Sequence, residues 1–298
     1  MLTSFRVAIS ALAGLALYVH AGQTGEPRRL LAADYSTKRL AVVNEAGDLE
    51  WECPIQDIHD AWVLPNGNLL FQTNWTWIVE LNSKHEEVWS YDAGANNGNE
   101  GKHVEVHAFQ RLNNGWTMIA ESGRARIIEV DQQGKLRHEM ALHVTHPDAH
   151  HDTRLARKLD NGNYLVAHEG DGMVREYEPG GKVVWEHEVK SAVYSAVRLK
   201  NGHTLIGCGN GHRVIEVDAS GKEVWTVEPT ELPGINLVWV TMVERLPNGN
   251  TTIVNCHAGP ENPQMIEVTT EKKVVWTFKD FSHFGNALPV ARVLGSPK

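Results

Sequence analysis

Cysteine is scarce in this chain of 298 residues, occurring only as Cys53, Cys208 and Cys256. An odd count leaves at least one thiol free, so the fold does not rest on a disulfide framework. Cys208 and Cys256 fall at similar points of neighbouring repeats, which leaves a disulfide between them as one option. Three small buried side chains is the simpler reading. Basic clusters are also missing, and the net charge is -9, which argues against a nucleic-acid partner. No Pro-rich or low-complexity stretch divides the chain. Beyond the N-terminus no apolar run is long enough to cross a membrane. Length alone would allow two domains, but closed all-β folds of this size are often one.

The one long apolar run is residues 7–19, preceded by Arg6 and followed by His20 and the small Ala21. That order is the pattern of a secretory signal peptide. The alternative is an uncleaved anchor, for which the run is short. The expected organisation is a signal peptide over 1–21, a short linker over 22–28 and a single domain over 29–298. The expected location is periplasmic or secreted, with no membrane span after cleavage.

What the chain has in abundance is one repeated phrase. Gly181-Lys182-Val183-Val184-Trp185 and Gly221-Lys222-Glu223-Val224-Trp225 have close copies ending at Trp51, Trp89, His138 and Trp276. A second phrase keeps step: Leu64-Pro65-Asn66-Gly67-Asn68 returns at Leu112, Leu159, Leu199 and Leu246. A period near forty with two turn signals per unit predicts β-propeller blades. Residues 193–228 show one unit. Val193–Leu199, Thr204–Cys208, Arg213–Asp218 and Glu223–Val227 read as strands A to D, with Asn201-Gly202 as a type I′ hairpin turn. The chain begins with strands B, C and D and ends with an unmatched strand A near 288–294. The C-terminal strand is therefore expected to complete the first blade, giving a six-bladed, all-β propeller of four-stranded antiparallel sheets with no open edge between its ends. The repeated Trp is read as packing between blades.

Val217-Asp218-Ala219-Ser220-Gly221-Lys222-Glu223-Val224-Trp225 resembles the repeat of PQQ-like (quinoprotein-like) propellers, in which the Trp docks one blade on the next. His59-Asp60-Ala61-Trp62-Val63-Leu64-Pro65-Asn66-Gly67-Asn68 is similar to a phrase of bacterial arylsulfotransferases. The resemblance covers about residues 29–294 and implies an exported propeller. It says little about activity, because the matching residues are scaffold. PQQ itself is not expected, since the dehydrogenases that use it resemble a larger ring with a vicinal Cys pair. The His-x-Asn-Ser phrase of the arylsulfotransferases is missing too: the comparable strand reads Val106-His107-Ala108-Phe109-Gln110.

The Asn-Gly and Gly-Lys turns fall on one rim of such a ring, and the B–C loops and D-to-A crossings fall on the other. Most of the sixteen histidines map to that second rim. Convergent polar groups at the mouth of a closed fold are the default site. The candidates to bind a small molecule or carbohydrate are His59, Asp60, Glu105, Glu121, Arg124, His150, Asp152, His168, Tyr194, Trp239 and His257. His107, His151 and Arg154 are the candidates for catalysis. Each has a plainer reading: a loop His is often solvated, His59, His107 and His151 can form a structural ring, and Arg124 and Arg154 can pair with Glu121 and Asp152. The cofactor is open; a divalent transition metal on His59, His107 and His151 is one option. No His-Glu-x-x-His spacing supports it. Three functions compete with plain ligand binding: a metal-assisted lyase or hydrolase, sulfuryl transfer through His107 or His151, and a non-catalytic scaffold for a protein partner. N-terminal sequencing of the secreted protein should find Gly22 first; an intact Met1 would overturn the signal-peptide reading.

Overall fold

The computed structural model describes residues 22–295, so the signal-peptide segment lies outside the described residues. Six antiparallel sheets form six blades. Blade 1 contains Leu30–Asp34, Arg39–Val43 and Leu49–Pro54 as strands B, C and D. Its strand A is Val290–Val293, from the other end of the chain, with Ala291 opposite Ala32. Blade 2 runs Ala61–Val63, Leu69–Gln72, Trp77–Leu81 and Glu87–Asp92. Blade 3 runs Glu105–Arg111, Thr117–Ser122, Arg126–Val130 and Leu136–Ala141. Blade 4 runs Ala156–Lys158, Tyr164–His168, Met173–Tyr177 and Val183–Glu188. Blade 5 runs Ser195–Arg198, Thr204–Gly207, Val214–Val217 and Glu223–Val227. Blade 6 runs Trp239–Arg245, Thr251–Cys256, Met265–Val268 and Val274–Phe278. It carries a fifth strand, Gln23–Thr24, paired with Val274–Phe278. The segment 22–28 is thus tied to the last blade rather than a free linker.

Burial follows strand order. Strands B and C are nearly all buried, while strand D alternates, as in Val183–Glu188. Strands A of blades 3 and 4, and of 5 and 6, lie beside one another around the axis. The cores lie between blades: Ile78, Phe109 and Ile119 between blades 2 and 3, and Leu205, Ile253 and Ile266 between blades 5 and 6. Each such side chain contributes about 1.5–3 kcal/mol by leaving water. The three cysteines are unpaired, Cys208 and Cys256 being buried.

The Gly-Lys-x-Val-Trp phrase owes its recurrence to a bulge. Strands C and D slip register at one equivalent place in every blade, just after Val42, Glu80, Glu129, Glu176, Glu216 and Glu267. These residues lie opposite Trp51, Trp89, His138, Trp185, Trp225 and Trp276. The glutamates then bridge to the next blade. Glu176 pairs with Arg198 and Glu216 with Arg245, both at 2.6 Å, and Glu80 with Arg111 at 2.5 Å. Glu267 pairs with Arg28. The guanidinium in each case lies over the Trp of the preceding blade, at 4.6 Å for Arg111 on Trp89 and 5.0 Å for Arg198 on Trp185. In blade 3, where His138 replaces Trp, Lys158 pairs with Glu129 and lies over Tyr164, which stacks on His138. Blade 1 has Val42 in place of the acid, and Trp51 stacks on His85 instead, at 4.8 Å.

The second phrase serves the same contact. Asn68, Asn163 and Asn250 each donate to the glutamate of their own blade, at 2.6, 2.7 and 2.6 Å. The turn itself is not the expected type I′. At Leu199–His203 only Gly202 has positive φ, +86°, while the Asn201 side chain accepts from the His203 N–H. This is a type I turn followed by a left-handed Gly, the other common hairpin solution. Asn is therefore there as a hydrogen-bond acceptor, not for its tolerance of positive φ.

Glu80→Ala should cost about 3 kcal/mol in urea unfolding, because the largely covered Arg111 guanidinium loses its carboxylate and keeps only the Gly115 and Thr117 oxygens. Arg29→Ala removes a solvent-exposed pair with Glu50 and should cost under about 1 kcal/mol. Equal losses would show that the inter-blade contact carries no special weight.

Candidate functional site

Each crossing from strand D to the next strand A brings a short polar segment to the axis, and the B–C loops close over it. At this rim a cavity of about 400 Å³ opens. Tyr35, from the B–C loop of blade 1, and Trp75, from that of blade 2, form one wall. Glu169 and His257 come from the same loops of blades 4 and 6. The crossings add Asp57 and His59, His150 and His151, and Tyr194. Arg154, Trp239, Thr241 and Pro289, near strands A, and Cys256, at the end of a strand B, complete the lining.

His59 is the most enclosed of these. Its Nδ1 lies 2.8 Å from the Tyr194 hydroxyl, and its buried Nε2 has no hydrogen-bond partner. Burial, aided by His107 and Arg154, holds its pKa well below the usual range, so the ring is neutral at pH 7. Trp75 stacks on it at 5.4 Å and meets His150 edge-on at 5.3 Å. Arg154 is buried and ion-paired with Glu169. Tyr35 contacts the Nε2 of His257 at 2.9 Å. His151 is held by the Asp148 carboxylate at 2.6 Å.

Behind the wall, His107 is fully buried, with Nδ1 2.7 Å from the Thr153 carbonyl and Nε2 3.0 Å from Glu105. Burial and the neighbouring Arg154 push its pKa down to about 4. The same Glu105 oxygen meets His150 Nδ1 at 2.6 Å, and its other oxygen meets His103 at 3.0 Å. Burial works against ionisation of Glu105, but the hydrogen bonds of His107 and His150 outweigh it and hold the carboxyl well below its usual range.

Of the residues named from the sequence, the structure brings His59, His150, His151, Arg154, Tyr194, Trp239 and His257 to one cavity, with Glu105 and His107 adjoining. Five others lie elsewhere. Asp60 is buried and holds Arg157 and Arg292, which both lie over Trp62. Glu121 is spent on Arg126 and Asn99. Asp152 accepts from the Asp148 and Gly123 N–H groups, bracing the crossing. His168 is sealed between the Asp152 carbonyl and the Tyr177 hydroxyl, both at 2.8 Å. Arg124 does not line the cavity, and its Nε is buried without a partner. The option of a metal on His59, His107 and His151 does not match the geometry either: among the described residues, the three side chains whose donor atoms converge are Glu105, His107 and His150. His151 is turned to Asp148.

Tyr35 and Asp57 were missed. Tyr35 had a signal, since the B–C loop of the incomplete first blade occupies the same rim as every other B–C loop. Trp75 and Glu169, in B–C loops, and Cys256, at the end of a strand B, sit where the repeat does place residues on that rim.

Ring closure, blade order and the rim cavity define the class, a six-bladed propeller with a pocket at one mouth of its channel. The chain belongs to the Mal s 1 allergenic protein-like family, whose model matches residues 32–261. The similarity to PQQ-like propellers and arylsulfotransferases is thereby narrowed to the propeller architecture. A Bacteroides caccae protein of unknown function is similar at 24% identity and TM-score 0.78, over 89% of this chain and 98% of its own. A streptogramin B lyase matches at 10% identity and TM-score 0.61, over 93% of this chain and 95% of its own. A catalytically inactive His-to-Ala form of virginiamycin B lyase from Staphylococcus aureus, with quinupristin, matches at 11% identity and TM-score 0.60, over 88% and 89%. These likenesses describe the fold. No match was found among curated proteins.

Burial pushes the pKa of His168 down to about 4. Its ordinary value is about 6.5, so the unfolded chain takes up the proton first as pH falls. The folded state should lose stability from about pH 6.5 down to about pH 4, by up to about 1.4 kcal/mol per pH unit from this group. Unfolding of His168→Gln across that window should be correspondingly flatter. An unchanged slope would show that His168 titrates normally.

Proposed function

We propose that this protein binds a small ring-bearing molecule, such as a carbohydrate, in the rim cavity. The observation that carries the reading is the convergence on one pocket of side chains from five different blades, without sequence proximity. The volume, about 400 Å³, falls within the roughly 300–1,000 Å³ of small-molecule sites. Trp75, Trp239 and Tyr35 offer flat apolar faces, and His150, His151 and Glu169 offer polar groups around them. That mixture suits a ring with hydroxyl or other polar substituents, which stacks on aromatic faces while its edges hydrogen-bond.

A second reading, catalysis in the same cavity, has one observation in its favour. His59 is neutral, with a buried Nε2 that no protein group occupies. With Nδ1–H donated to the Tyr194 hydroxyl, Nε2 keeps its lone pair and can take a proton from a bound substrate, as in an elimination or hydrolysis. The lyases of similar fold make that class of reaction the first to assay. Sulfuryl transfer and a protein-scaffold role have no comparable support in the cavity. Export to the periplasm or medium remains part of the proposal and rests on residues 1–21.

A panel of mono- and disaccharides and small aromatic acids, followed by tryptophan fluorescence, tests the binding reading. A ligand should quench Trp75 and Trp239, and Trp239→Ala should weaken it about tenfold, since one stacked ring is worth about 0.5–1.5 kcal/mol beyond its buried area, which is lost as well. Hits that bind Trp239→Ala unchanged would place the site elsewhere.

A further inference from the structure

The cluster behind Trp75 has a donor arrangement that hydrogen bonding alone leaves unsatisfied. His107 presents both ring nitrogens to oxygens, Nδ1 to the Thr153 carbonyl at 2.7 Å and Nε2 to Glu105 Oε2 at 3.0 Å. A neutral imidazole has one N–H and can serve only one of them. An imidazolium would serve both, but a second cation is already in place: the Arg154 guanidinium lies 3.4 Å from both nitrogens. His150 approaches the same carboxylate oxygen with Nδ1, at 2.6 Å. Two imidazole nitrogens thus crowd one carboxylate oxygen. Next to them stands His59, 94% buried by its 6% exposure, its ring 4.5 Å from that of His107 and its Nε2 unpartnered.

We propose that Glu105, His107 and His150 form a binding site for a divalent first-row transition ion in the wall of the cavity. Their donor atoms lie within 4.8 Å of one another. Two imidazoles with one carboxylate select zinc, iron or manganese over magnesium or calcium, which prefer all-oxygen shells. Three protein ligands leave positions open, as in catalytic rather than structural sites.

The surroundings have the form of an outer shell. Thr153 accepts the Nδ1–H of His107, which leaves Nε2 with its lone pair free for the ion. His103 holds the second oxygen of Glu105 at 3.0 Å. Glu169 neutralises Arg154, so the Glu105 charge remains for the cation. His150 is partly exposed and lines the cavity, which gives the ion a path in and would set it beside any bound ligand. The site stands whether or not an organic ligand is found, because its test uses the metal alone.

The test is titration of tag-free, chelator-treated protein with Co²⁺, read by visible d–d absorption, and with Zn²⁺, read by calorimetry. One equivalent of each should bind. His150→Ala, at a partly exposed position, should fold normally and lose affinity by more than the about 10–100-fold typical of outer-shell changes, while His103→Ala should fall within that range. Glu105→Gln gives the same loss by a second route. Absence of binding, or binding that survives both His150→Ala and Glu105→Gln, overturns the proposal.

Discussion

The ring depends on one contact made over and over: an acid on strand C, a cation at the end of the next blade's strand A, and an aromatic ring beneath that cation. A hydrophobic wedge alone would let neighbouring blades slide, since apolar packing is non-directional. Between blades 2 and 3, 4 and 5, and 5 and 6, the bidentate-capable guanidinium, fixed between a carboxylate and a Trp face, gives the interface a register as well as an energy. Arg198 between Glu176 and Trp185 shows the arrangement plainly. Its cost is that both charges are largely buried, so loss of one partner strands the other. The two turn phrases exist to support it, the Asn by donating to the acid and the bulge by placing the acid opposite the Trp.

This division of labour separates the two rims. The turns of one rim are committed to holding blades together and vary little. The other rim is released from that duty, and there the segments differ in length and content from blade to blade. The crossing into blade 4 carries His150 and His151 braced by Asp148 and Asp152, while the crossing into blade 5 brings Tyr194 under His59. Rigid strands A near the axis hold these groups in fixed relation, which is what a binding site needs.

The buried histidines show how placement decides role. His168 and His107 have similar depressed pKa values for the same reason, burial. His168 has a hydroxyl on one nitrogen and a carbonyl on the other, a complete set for a neutral ring, and belongs to the scaffold. His107 faces two acceptors and a cation, a set that a neutral ring cannot complete. The difference lies in partners from Tyr177 in one case and Glu105 in the other, both contributed by strands of the same or the next blade.

The amino-acid sequence by itself determined the propeller, the number of blades and the closure by the C-terminal strand, because each is a matter of local turn chemistry and strand alternation repeated at a period. It also assigned most of the histidines to one rim, since rim follows from position within the repeat. The inter-blade role of Glu80, Glu176 and Glu216 was not visible, although each precedes its turn at a constant place, because their partners come from the next unit. The make-up of the cavity was decided only by tertiary structure. Asp60 and His59 are adjacent in sequence, yet one is consumed by Arg157 and Arg292 and the other faces the pocket. Both lie on the crossing just before strand A of blade 2, and what each one meets is brought there by closing the ring.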